Sequence, residues 1–217
     1  MRNIWKNIAL PLMALVFVGA GVAYAADAPV EPPEPGATFA DMKITAQDYS
    51  QGPADAKVTI IEYASLTCPH CAHLNNEILP ELKKEYVKTG KVRYIYRDFP
   101  LDKLALVAAM VARCGKRDEY FGYIDTFFAA QMQWAGANNP VKALGNLARL
   151  GGMSEATFNS CLKDTSVQDA ILKERLQAVN DFKVNATPTV FVNGASYSGG
   201  MSLEQFRTLL NWLLSKS

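Results

Sequence analysis

The feature that most limits the fold is an interruption. From Lys57 to Asp98 the chain reads strand, helix, strand, and then the strand pattern vanishes until Thr189. The first strand, Lys57 to Tyr63 (KVTIIEY), is a β-branched run after the turn signals Gly52-Pro53. Leu74, Ile78, Leu82 and Tyr86 recur every fourth residue and mark a helix over 69–88, which Pro80 is expected to kink. Thr89-Gly90 ends it, and Lys91 to Asp98 (KVRYIYRD) reads as a second strand. That order implies a right-handed crossover joining a parallel pair.

The stretch that follows carries only helical patterns. Leu104, Val107 and Val111 mark one helix, and Tyr120, Ile124, Phe127 and Phe128 another. Val141 to Leu150 stops at Gly151-Gly152, Ser154 opens a short helix, and Val167 to Phe182 supplies a last one. A block of about 80 residues is too long for a crossover connection. It reads as a helical subdomain, at about 101–182, inserted into an α/β unit. Strand pattern returns at Thr189–Val192, turns at Asn193-Gly194 and resumes near Tyr197. A final helix, Leu203 to Leu214, carries Leu203, Phe206, Leu210 and Leu213 on one face, a core-facing stripe.

The N-terminal end reads differently. Arg2 and Lys6 precede an apolar run from Ile8 through Val22 that leads into Ala23-Tyr24-Ala25. The run is shorter than the ~20 residues of a spanning helix, and with the small-x-small ending it predicts a cleavable signal peptide over 1–25. Cleavage would take 25 residues from 217, leaving 192, and loss of Arg2 and Lys6 would turn a net charge of +1 into −1. Residues 26–40, with Pro29, Pro32, Pro33 and Pro35, read as a proline-rich tether, and 41–217 as the folded domain. The near-neutral charge gives no basis for a nucleic-acid partner. Four cysteines are too few for a disulfide scaffold, so burial must carry the fold.

The chemistry is concentrated where the first strand meets the first helix. Cys68-Pro69-His70-Cys71 places proline at the first helical position and Cys68 at the N-cap. A sulfur there faces the free N–H groups of His70 and Cys71 and the positive end of the helix dipole, which favour the thiolate. Cys71, three residues on, shares that helical face and lies within reach of a disulfide. A free thiol of pKa about 8.5 is only a few per cent ionised at pH 7. A thiolate majority needs roughly 2 kcal/mol of differential stabilisation, and a helix terminus supplies at most about that much; a charged His70 could supply the rest. Both histidines, His70 and His73, fall within five residues of Cys68. The spacing predicts a redox dithiol, with Cys68 the exposed attacking sulfur and Cys71 the buried resolving one. Stabilising the thiolate stabilises the reduced form, so the disulfide is predicted to be an oxidant. The alternatives are a strained structural disulfide, or copper held by Cys68, Cys71 and His73. Zinc would need a second ligand pair, and Cys114 and Cys161 are solitary. Glu62, in an otherwise apolar strand, reads either as a proton carrier for Cys71 or as an outward-facing strand residue.

These residues resemble a known family. Y-A-S-L-T-C-P-H-C at a strand-to-helix turn, the inserted helical block, and A-T-P-T-V-F-V-N-G near the C-terminus are similar to the DsbA-type thiol:disulfide oxidoreductases of the bacterial periplasm. The resemblance covers about residues 40–215 and implies a thioredoxin fold with a helical insertion. A low-pKa cysteine is a hallmark of that family's type member, so that expectation and the resemblance are not independent. By the same resemblance Pro188 matches a cis-proline lying beside the active-site disulfide. Thr187 before it departs from the usual apolar residue and resembles disulfide isomerases of the same superfamily. Those isomerases are usually dimers built through an extra N-terminal domain, for which 26–56 leaves no room, so a monomeric oxidase is expected.

In an exported protein the leftover pair Cys114 and Cys161 is expected to bond as a structural staple, as in relatives with a second disulfide; a regulatory role is the other reading. Reduced exported proteins are the expected substrates and no cofactor is expected; the resemblance further implies reoxidation by a quinone-linked membrane partner. Disulfide isomerase or reductase activity, or a copper-binding module on the same scaffold, are the competing functions. Trp134, Tyr197 and Met201 are candidates either for a client groove or for core packing.

Overall fold

The computed structural model describes residues 32–40 and 42–216. The expected signal peptide, 1–25, lies outside them, as does the first part of the tether. Five strands form one mixed sheet in the order β1-β3-β2-β4-β5. At its centre β2 (Val58–Ala64) and β3 (Val92–Asp98) run parallel, with Val58 beside Val92 and Ala64 beside Asp98. Both strands are almost wholly buried because helices cover both faces, which is why they read as continuous apolar runs rather than alternating ones. β4 (Thr189–Val192) lies antiparallel to β2, placing Val190 opposite Glu62. β5 (Ala195–Ser198) pairs with β4 through the Asn193-Gly194 turn, where both residues have positive φ.

The crossover from β2 to β3 is one helical column. α1 (Pro69–His73) and α2 (Leu79–Leu82) alternate with π-type turns at Leu74–Ile78 and Lys83–Val87. Proline lacks an N–H and crowds the carbonyl one turn back. Ahead of Pro80 the ladder widens, Leu79 N–H reaching back to the Leu74 carbonyl, and the helix continues.

The helical block is α3 (Lys103–Cys114), α4 (Tyr120–Ala129), α5 (Gln131–Ala135), α6 (Pro140–Leu150), α7 (Glu155–Cys161) and α8 (Thr165–Phe182). α9 (Leu203–Ser215) closes the chain and buries Phe206, Leu209 and Leu210. Two elements escape sequence reading because they are short. They are α5 and β1 (Tyr49–Gln51), which adds antiparallel to β3 and stacks Tyr49 on Tyr120 at 3.6 Å.

The last residues of the expected tether are held on the sheet. Gly36 N–H donates to Ser196 O, Phe39 N–H to Gly194 O and Ser196 N–H to Ala37 O. Phe39 packs edge-on against Phe182 and Phe191. The edge of β5 offers unpaired backbone groups, and residues 36–39 take them up. At the far end of β3, Arg97 bonds Asp48, the Tyr63 hydroxyl and the Lys43 carbonyl, while Arg113 bonds Asp98 and Glu174. This buried network ties residues 43–48, β3, α3 and α8 together. No helix among the described residues is long and apolar enough to cross a membrane.

Candidate active site

Cys68 ends the loop after β2 with extended backbone (φ −83, ψ 120) and caps α1, with Pro69 in the first turn. Its N–H donates to Ser65 O, and its carbonyl accepts from Ala72 N–H at 3.1 Å. Cys71 lies one turn on, facing the core. Both are free thiols. Cys71 is wholly buried, and Cys68 is 6% exposed. The expected exposed sulfur is therefore only just accessible. What covers it is the loop before β4: the Thr187–Pro188 peptide is cis, and Cys68 Sγ–H donates to the Thr187 carbonyl at 3.3 Å. The structure thus brings Cys68, Cys71, Thr187 and Pro188 together from elements more than a hundred residues apart.

The two thiols are driven in opposite directions. Cys68 is lowered to about 5, first by the hydrogen bond that Cys71 offers its sulfur; burial opposes this, and the Thr187 side-chain hydroxyl and the backbone N–H groups of Cys71 and His70 reinforce it. Neither amide makes a well-aligned capping hydrogen bond, so they act mainly as dipoles. A pKa near 5 makes thiolate the dominant form at pH 7 by about a hundredfold. Cys71 is pushed far up, by burial first, then by its bond to Cys68 and by the Glu62 charge. In the dithiol the negative charge therefore rests on Cys68, and Cys71 holds a proton. His70 contributes through its backbone, while its imidazole stands exposed with His73 on a groove that Leu74, Pro188, Gly200 and Met201 also line.

Glu62 is 1% exposed and points into the core on the face that the α1–α2 column covers. An outward-facing orientation is excluded. Tyr94 O–H donates to Glu62 Oε2 at 2.6 Å, and Oε1 has no hydrogen-bond partner among the described residues. Burial raises Glu62 to about 7; the Tyr94 hydrogen bond and the Lys83 charge pull the other way. A carboxyl of that pKa, whose charge the Cys71 thiol feels, has the ionisation that a proton carrier needs near neutral pH. Tyr94 was not readable as its partner, since one aromatic among several in a buried strand carries no such signal.

Two further features emerge only in three dimensions. Gln131, on the unforeseen α5, donates from its amide nitrogen to Leu66 O at 2.9 Å and Cys68 O at 3.0 Å. Thr67 Oγ1–H donates to Asp102, the N-cap of α3. Cys114 and Cys161 are bonded across 5.8 Å between Cα atoms, joining the ends of α3 and α7 within the insertion, apart from the dithiol. Trp134, Tyr197 and Met201 are buried, and only Met201 also lines the groove. Among the described residues no three His, Cys, Asp or Glu side chains gather as a metal-binding group.

A parallel core pair extended by antiparallel strands, a dithiol at a helix start and a cis-proline against it define a thioredoxin-fold redox protein with a helical insertion. Residues 45–211 match the family model described as thioredoxin. Wolbachia pipientis α-DsbA1 superposes with a TM-score of 0.76 at 31% identity, over 81% of this chain and 94% of that one. The chain belongs to the thioredoxin family, in its DsbA-type branch. A protein-disulfide isomerase from Novosphingobium aromaticivorans superposes with a TM-score of 0.68 at 25% identity, over 77% and 97%. Rickettsia bellii has a relative named provisionally as a protein-disulfide oxidoreductase, 33% identical over 154 residues, which are 70% of this chain and 60% of the relative. The chain thus spans about three-fifths of the length of the curated relatives it first matches.

Proposed function

We propose that the chain is an exported, periplasmic thiol:disulfide oxidoreductase that donates the Cys68–Cys71 disulfide to reduced exported proteins. The observation that carries this is the opposed ionisation of the two thiols, Cys68 near 5 and Cys71 raised. A client thiolate attacks Cys68 Sγ of the oxidised pair; the Cys68–Cys71 bond breaks, and Cys71 leaves with the electron pair and takes a proton, which Glu62 supplies. A second client thiolate then attacks the client sulfur of the mixed disulfide. Cys68 departs as a thiolate stable at pH 7, the client has lost two electrons, and the site holds them as a dithiol. Pro188 and Thr187 shape the surface against which the client lies, and Pro69 and His70 keep Cys68 at the helix start. A quinone-linked membrane partner restores the disulfide, and the Cys114–Cys161 bond staples the insertion. The protein works as a monomer, without cofactor or nucleic acid.

The test is oxidative refolding of a reduced, unfolded client by stoichiometric oxidised protein without small-molecule oxidant. Loss of two client thiols per protein molecule is expected; retention of all client thiols overturns the reading. Thr187, together with the isomerase among the structural relatives, favours the alternative reading, a disulfide isomerase in place of an oxidase. Repair of a scrambled-disulfide client, with a dimeric mass in solution, would establish it.

A further inference from the structure

The loop that delivers Cys68 is not self-supporting. Leu66 is 1% exposed, and among the described residues its carbonyl has no strand or helix partner and accepts one hydrogen bond, from the Gln131 side chain. The Cys68 carbonyl takes the first bond of the helix, from Ala72, and its second lone pair takes the other Gln131 N–H. Gln131 is 4% exposed, and α5 is itself anchored where Trp134 Nε1–H donates to Phe127 O at 2.8 Å. One amide from the helical insertion therefore closes two buried carbonyls of the reactive loop, that of Leu66 and that of Cys68 itself. A polar side chain on the buried face that it shares with Phe127, Phe128 and Trp134 is costly unless its hydrogen bonds are made, and here they end on the reactive loop.

We propose that Gln131 is a positioning residue: its amide ties the reactive loop to the helical insertion and holds Cys68 in its capping conformation over the first N–H groups of α1. Two physical effects follow from its loss. The loop can rotate, taking Sγ away from the amides of His70 and Cys71. The Leu66 and Cys68 carbonyls also keep their negative ends unneutralised close to the sulfur. Both disfavour the thiolate more than the thiol. The insertion is then part of the redox device as well as a cover beside it. This rests on reading Cys68 as the attacking thiolate, but its test needs neither client nor membrane partner, so the two can fail separately.

The experiment is titration of Cys68 by thiolate absorbance, with the redox potential, in Gln131→Met and in Asn76→Ala. Methionine keeps the length of glutamine and removes the donor. Asn76→Ala removes a different link between the column and the insertion, the bond from Asn76 Nδ2 to Phe128 O, without touching the loop. An upward shift of roughly one pH unit in Gln131→Met is expected, with a less oxidising potential, and no shift in Asn76→Ala. A Gln131→Met protein that loses stability while its Cys68 titration and potential stay in place overturns the proposal, as does an equal shift in both variants. Should Gln131→Met fail to fold, Gln131→Asn, whose amide is one methylene too short to reach both carbonyls, is read by the same criterion.

Discussion

Replacing Glu62 with glutamine should make the protein more stable above neutral pH and leave it little changed in mild acid. Burial raises this carboxyl from 4.5 to about 7. Between those values the native state keeps a proton that the unfolded chain has released, so native stability falls as pH rises through the window and levels off above it. A gap of 2.5 units corresponds to about 3 kcal/mol at pH 8, and to less than about 0.5 kcal/mol at pH 4.5. Glutamine cannot ionise and escapes this loss. Its carbonyl oxygen can still accept from Tyr94 O–H, and its NH2 would occupy the place of Oε1, which already lacks a partner. That substitution adds an offset of about 1 kcal/mol that does not vary with pH. The informative quantity is therefore the change in ΔΔG between the two pH values. Urea unfolding of the dithiol form, wild type against Glu62→Gln, should show the variant gaining about 3 kcal/mol between pH 4.5 and pH 8. A ΔΔG flat within about 0.5 kcal/mol across that range would refute the buried, proton-holding carboxyl.

Other outcomes follow from the same geometry. Cys71→Ser, treated with oxidised glutathione, should form a persistent mixed disulfide of Cys68 with one glutathione, the other leaving as thiolate, because no neighbouring thiol can resolve it, whereas Cys68→Ser should not react, since Cys71 is fully buried and held protonated; intact mass under non-reducing conditions separates the two. The double variant Cys114→Ser/Cys161→Ser frees a loop of separation 47. It should lose about 4 kcal/mol on the loop-entropy account, read by denaturant unfolding, and an unchanged Cys68–Cys71 potential would mark the pair as a staple only. Arg97→Met strands Asp48, 8% exposed, without its bidentate partner and should cost about 3–5 kcal/mol by the same assay.

Most of the architecture was legible because it is written in periodicities. The parallel pair, the inserted helices and the Asn193-Gly194 turn each carry a local signal that tertiary contacts reinforce. Short elements carry none: Tyr49–Gln51 is a strand only because the edge of β3 needs a partner, and Gln131–Ala135 is a helix only because Trp134 anchors it. The site divides along the same line. Cys68 and Cys71 follow from spacing at a helix start, and the nearness of Pro188 came through resemblance. The direct bonds, Tyr94 to Glu62, Gln131 to the reactive loop and Thr187 O to Cys68 Sγ, join residues 32 to 119 positions apart, which no window on the sequence spans. The low accessibility of Cys68 has the same origin, since the loop that covers it comes from the far side of the insertion.

The central claim is that the Cys68 thiolate makes the disulfide an oxidant. Against an unperturbed thiol, a pKa near 5 favours the reduced form at pH 7 by about two powers of ten, which is roughly 60 mV. The most direct test is the equilibrium potential of Cys68–Cys71 against glutathione at pH 7, repeated at pH 5. A potential well above the glutathione pool, roughly −220 mV, with this advantage largely gone at pH 5, is the expected result. A potential at or below that of glutathione, or an advantage that persists unchanged at pH 5, would contradict it.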